Sequence, residues 1–188
     1  MILINGVNEL EKKSHSIGIV CTKWWKDSLR SDDGSSRKAC ARLRRCTTPI
    51  EAALVEEVHD LKFRLEQEGV KKINSDTLAL VAICLSHVKG ISGKKLAELF
   101  GNREIKDGPR VLSELRFQSL IKIRSKVELI RPIRRAISLV HNKNKPINVY
   151  ALSEDVFWWN EKVRHDWCFQ YFGASSQLKS KSKKEHSL

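Results

Sequence analysis

The chain has 188 residues, with 35 Lys and Arg against 22 Asp and Glu and a formal net charge of +13. That length fits one domain or two small ones, and 41% hydrophobic residues suffice for a packed core, which excludes wholesale disorder. Nine Gly and four Pro exclude collagen-like and Pro/Gly-rich chains, and the longest apolar run, Leu78–Leu85, is far short of the ~20 residues of a membrane span.

Residues 1–16 are polar and weakly patterned and are expected to be flexible; the apolar start Met1–Ile4 is too short for a signal peptide. Cys21–Leu29 reads as a short helix with Trp24 or Trp25 turned inward. Ser31–Ser36 is a loop by composition, and Arg37–Cys46 is a helix rich in cations. Thr48-Pro49-Ile50-Glu51 is a capping box with Pro at the first helical position. From it Ile50, Leu54, Val58, Leu61 and Leu65 recur at spacings of 4, 4, 3 and 4, one apolar helical stripe that Gly69 ends.

Asn74-Ser75-Asp76 starts a helix through Leu78–His87, apolar on nearly all sides and so expected to be buried. A shorter helix, Ser92–Phe100, stops at Gly101-Asn102, and Asp107-Gly108-Pro109 starts another that runs to about Lys122. Ser125 and Glu128 form a second capping box ahead of Ile130, Ile133, Ile137 and Val140; Pro132 should kink that helix or shift its start. After a turn at Asn142–Pro146, Leu152, Val156, Trp159, Val163, Trp167 and Tyr171 make a last stripe. Asn160 should break it into two helices, with Gly173 as a C′ residue. Ser175–Leu188, rich in Ser and Lys, is expected to be a disordered basic tail. No segment alternates with period two. The expected fold is all-α, a compact bundle of about seven to nine helices in one domain over residues 17–174, divisible near residues 101–109 into N- and C-terminal halves.

The five cysteines are odd in number and form no C-x-x-C, the pattern of reduced, buried thiols, and a cytoplasmic setting is expected. Cys and His pairs at zinc spacing are missing, so neither a metal nor another cofactor is implied. Gly90–Lys95 lacks the first Gly and the final Ser/Thr of a phosphate loop and reads as a turn between helices. His59-Asp60 and His165-Asp166 are helix neighbours that point apart, and no nucleophile elbow is present. Nothing supports an enzyme.

The positive charge is concentrated. Arg37–Cys46 carries +5, Arg103–Lys145 carries +8 and Lys179–Leu188 carries +3, leaving −3 for the remainder. Segregated charge of this kind points to a polyanion, most often nucleic acid. Arg131, Arg134 and Arg135 lie at i, i+3 and i+4 on one helix face, with Arg116, Lys122 and Arg124 just upstream and Arg42, Arg44 and Arg45 in the earlier basic helix. A guanidinium fork suits phosphate, and no base-reading set is evident, so sequence-independent backbone contact is expected. Pairing of Glu114 with Arg110, or of Glu128 with Arg124 or Arg131, would erode the patch. The five tryptophans sit in apolar stripes, which favours core packing over base stacking, with one ring of each Trp-Trp pair a candidate for exposure.

Several stretches together resemble the CasB family, the small subunit of the type I-E CRISPR surveillance complex, Cascade. They are Trp24-Trp25-x-x-x-Leu29, Arg42-Leu43-Arg44-Arg45 with Cys46-x-x-Pro49, and Ser113-Glu114-Leu115-Arg116-Phe117. Arg134-Arg135-Ala136-Ile137, Ile147-Asn148-Val149 and Trp159…Val163-Arg164…Trp167…Tyr171 complete the series, in consistent order from about Lys23 to Phe172. The resemblance implies an all-α, non-catalytic subunit present in two copies. It implies as partners other Cascade subunits, crRNA and target DNA, with the displaced single strand held in a basic groove that stabilises the R-loop. Arg44, Arg45, Arg116, Lys122, Arg134 and Arg135 carry over as nucleic-acid contacts by motif; Arg42, Arg124 and Arg131 join them on charge and spacing. Pro132, the Asp32–Ser36 loop and the Lys/Ser tail depart from the family pattern. A scaffold whose basic faces bind only protein, or a stand-alone helical DNA-binding regulator, are the other readings of the same charge.

Overall fold

The computed structural model describes residues 17–103, 108–143 and 145–185, with side chains as far as Ala174; the N-terminal stretch 1–16 lies outside the described residues. Among them are ten helices and no strand. They are α1 (residues 17–29), α2 (Gly34–Arg45), α3 (Pro49–Ala53), α4 (Glu56–Gln67), α5 (Ser75–Ser86), α6 (Leu96–Gly101), α7 (Glu114–Lys122), α8 (Lys126–Asn142), α9 (Val149–Phe157) and α10 (Glu161–Glu185). The all-α expectation holds.

Local chemistry sets most of the boundaries. Asp33 accepts from the Ser36 amide at 2.6 Å, so α2 begins at Gly34, inside the stretch expected to be a loop. The Thr48–Glu51 capping box forms in both directions, with Pro49 in the first turn. The stripe predicted as one helix is two, because the chain breaks between Ala53 and Glu56. Ile50 and Leu54 are consequently 77% and 71% exposed, and only Val58, Leu61 and Leu65 reach the core. Gly69, at φ +80°, turns the chain away after α4. Asn74 caps α5 through two amides.

Every residue from Thr77 to Ser86 is buried, and α2, α3, α4, α8 and α9 all pack on this central helix. A contiguous cluster of buried apolar side chains runs from Ile17 to Tyr171 and crosses the 101–109 connection. The helix expected from Asp107–Pro109 begins only at Glu114. The Val111 and Leu112 amides donate instead to the carbonyls of Asn102 and Phe100, which folds this stretch back on the end of α6. Asp107 itself lies outside the described residues. α8 runs continuously through Pro132, with Ser125 capping its start.

Asn160 accepts from the Val163 amide and separates α9 from α10 as expected. α10 does not stop at Gly173: its backbone stays helical to Glu185, into the stretch read as a disordered tail. α10 packs on α6, and a Cβ on Gly101 would lie 2.0 Å from the Tyr171 carbonyl oxygen, so the two helices meet at this glycine. Phe117 of α7 stacks on Tyr171, centroids 3.9 Å apart, and the Tyr171 hydroxyl donates to the Leu112 carbonyl.

Both Trp24 and Trp25 are buried, donating to the carbonyls of Glu57 and Leu85, so neither member of this pair is the exposed one. Trp159 and Trp167 are also buried, on the Ile123 carbonyl and the Asp155 carboxylate. All five cysteines are free thiols, four of them buried. Among the described residues no cluster of ligating side chains could hold a metal, and no helix is long and apolar enough to cross a membrane.

Candidate nucleic-acid interface

The basic residues are organised around two helix ends. A helix C-terminus presents carbonyls with no helical donor and a partial negative charge, which suits cations. At the end of α5 the Ser86 carbonyl accepts from Arg44 Nε at 2.8 Å, and the carbonyl of the following Val88 accepts from Arg30. At the end of α2 the carbonyls of Arg44 and Cys46 accept from the two terminal nitrogens of Arg134. Arg134 Nε also donates to the ring of His87 at 3.2 Å, which requires His87 Nε2 to be unprotonated. Burial first, then the charges of Arg134, Arg44 and His141, hold His87 down to about 4. Burial, then Lys89, Arg44 and Arg30, likewise hold His141 below the usual histidine range.

Four surface hollows open around this cluster. The first, about 490 Å³, lies between α7 and α8; its walls are Leu115, Leu120, Ile123, Pro132 and Leu139, with Arg116 and Arg135 also lining it. The second, about 360 Å³, is lined by Arg131, Arg134, Arg135, His87, Thr47 and Ser138. The third, about 390 Å³, takes His87, Lys89, His141 and Lys145; the fourth, about 530 Å³, takes Lys145, Lys94, Arg103 and the Ser92-Gly93 turn. Consecutive hollows share residues: Arg135 joins the first to the second, His87 the second to the third, and Lys145 with Pro146 the third to the fourth. Among the described residues no carboxylate lines any of the four. The next hollow, which shares Lys94 and Asn102 with the fourth, carries Glu98.

The nine sequence-predicted residues divide accordingly. Arg116, Arg131 and Arg135 are exposed on this track, and Arg134 lines it while three of its donors are engaged. Arg44 stands behind the track as the cap of α5. Arg42 bonds the Leu54 carbonyl at 2.6 Å and Arg45 the Ala41 carbonyl; neither lines these hollows, nor do Lys122 and Arg124. Among the described residues none of the nine forms an ion pair. The expected Arg110–Glu114 pair does form, at 3.2 Å, whereas Glu128 pairs with neither Arg124 nor Arg131. Lys89, Lys94, Arg103 and Lys145 were not singled out from the sequence. Lys145 reaches the track because Ile91 and Ile147 pair as an isolated bridge, drawing two loops together.

The sequence model for CRISPR-associated protein Cse2 matches residues 39–172. Among solved structures, a chain of the crystal structure of E. coli Cascade bound to a PAM-containing dsDNA target is similar, with a TM-score of 0.57 at 18% identity. The match covers 84% of this chain and 97% of that one. At that identity the likeness bears on the fold. No curated protein sequence matches.

Proposed function

From the premise that the chain belongs to the CRISPR-associated Cse2 family, also called CasB, we propose that it is a non-catalytic subunit of a type I-E Cascade complex. In that role it holds the displaced DNA strand along the four-hollow track and so stabilises the R-loop. Its partners are then the other Cascade subunits, crRNA and target DNA, and a second copy of itself. The observation that carries the reading is the continuity of the track: cations line all four hollows, neighbouring hollows share side chains, and among the described residues no carboxylate interrupts them. Arg116, Arg131 and Arg135 are its principal phosphate contacts, with Lys89, Lys94, Arg103 and Lys145 extending it. Arg42, Arg45, Lys122 and Arg124 line none of the four hollows and contribute a weaker, longer-range field.

Energetically the role is modest and sufficient. Exchange of a DNA duplex for an RNA–DNA hybrid is nearly balanced, so contacts to one released strand can tip it. Backbone contact suits a subunit whose complex already reads sequence through its guide.

The test is R-loop lifetime in the assembled complex carrying Arg116→Glu and Arg135→Glu. The lifetime should shorten several-fold while assembly is unaffected. An unchanged lifetime in a fully assembled complex refutes the reading, and crosslinking of this track to protein neighbours alone would favour a scaffold.

A further inference from the structure

The hollow between α7 and α8 differs from the rest of the track. Its walls are aliphatic, from Leu115, Leu120, Ile123, Pro132 and Leu139, and polarity enters through Ser119 and the guanidinium groups of Arg116 and Arg135. Arg135 also borders the adjoining arginine pocket, where Arg131, Thr47 and Ser138 stand on the other side. An apolar seat therefore abuts an anion seat, with a guanidinium between them. We propose that this pair of hollows forms a nucleotide seat, in which one unpaired base of a bound strand lies in the aliphatic hollow and its phosphate lies in the arginine pocket. The inference rests on the nucleic-acid reading above and deepens it, because it explains how a surface without base-specific donors selects a single strand.

The chemistry argues for this occupant. Two cations and, among the described residues, no carboxylate line the aliphatic hollow, so it suits a ligand that carries negative charge beside an apolar surface. A nucleotide has both within one residue. At about 490 Å³ the hollow is roomy enough for a base. A base inside a duplex is covered by stacking and pairing and cannot enter. An aliphatic wall has no directional donors, so any base is accepted. Leu115, on α7, is 75% exposed, so its apolar surface is available for a base to cover.

The experiment compares binding of the full chain to a short labelled oligo-dT and to an abasic strand of equal length and charge. The base-bearing strand should bind about tenfold more tightly, the effect of removing ~50 Å² of apolar surface from water. Leu115→Ser should abolish most of that difference and leave abasic binding unchanged, and Ser119→Leu, which narrows the hollow from the exposed face of α7, should do the same. Equal affinity of the wild-type chain for the two strands overturns the base seat while leaving backbone tracking intact. Failure to bind either strand at low salt overturns the nucleic-acid reading and the seat with it. A photocrosslinker at position 119 that marks protein subunits but no bases in the assembled complex also overturns it.

Discussion

The guanidinium of Arg134 donates to the backbone carbonyl of Cys46 at 2.6 Å and so ties α8 to the end of α2. A cation placed among phosphate contacts by its sequence spacing is therefore also a helix cap. Arg134→Ala should lower stability by about 1.5–3 kcal/mol, because it strips charged donors from half-buried carbonyls. Arg135→Ala, one residue away and exposed, should stay within about 0.5 kcal/mol. Urea denaturation midpoints check the contrast; equal midpoints would show that the cap is unimportant.

Strand binding should be steeply salt-dependent. Each phosphate contact on a single strand contributes a slope of about −0.7 in log K against log salt. Removing Arg116, Arg131 or Arg135 should each flatten the plot by roughly that amount, and Lys89→Ala and Lys145→Ala should do so too. Arg42→Ala and Arg45→Ala, which lie off the track, should change it far less. A titration series at several salt concentrations measures this directly.

Two half-buried groups give stability opposite dependences on pH. Burial pushes Asp155 up to about 6, although the Trp167 indole donates to it at 2.8 Å. Its folded pKa exceeds the unfolded one near 4, so its contribution is complete below that value and is lost as pH rises through about 6. Asp155→Asn keeps an acceptor for the indole and should stabilise the chain at pH 7.5 by about 1–3 kcal/mol. Thermal midpoints that fall on substitution would contradict this.

His87 runs the other way. Its folded value is pushed below that of the unfolded chain, so its contribution is present above about 6.5 and is lost as pH falls through about 4. Protonation also removes the acceptor for Arg134 Nε. His87→Gln should flatten the acid limb of the stability profile between those values. A strand phosphate in the arginine pocket should raise the His87 pKa, so binding at pH 5 takes up a proton; calorimetry in buffers of different ionisation enthalpy reads it.

Gly101→Ala should be among the most disruptive of conservative changes. The added methyl meets the Tyr171 backbone at 2.0 Å, so α6 and α10 must separate. A loss of about 2–3 kcal/mol is expected, whereas Gly173→Ala, with open space around the added carbon, should be neutral or stabilising.

Features governed by a few adjacent residues were legible in the sequence. The Thr48 box, the Asn74 cap and the Asn160 break each depend on side chains within three positions of the groups they satisfy. The stripe from Ile50 to Leu65 misled because periodicity does not register the break after Ala53. Asp107–Pro109 looked like a helix start because the pull of the Asn102 and Phe100 carbonyls on the next residues is tertiary. At the interface, spacing put Arg131, Arg134 and Arg135 on one face, and they do share a pocket. Spacing alone did not show that Arg134 meets α2 while its neighbours meet solvent. Lys89, Lys94 and Lys145 sit singly in loops, and the tertiary Ile91–Ile147 pairing, with the Ser92 hydroxyl on the Pro146 carbonyl, brings two of those loops to one surface.

Four of the five indoles are buried and hydrogen-bonded inside the fold, the fifth, Trp158, is half-buried, and none of them lines the track. Intrinsic fluorescence will therefore report unfolding cleanly and stay nearly silent when a strand arrives. Quenching titrations on unlabelled protein would wrongly suggest an inert surface, so the fluorophore belongs on the oligonucleotide.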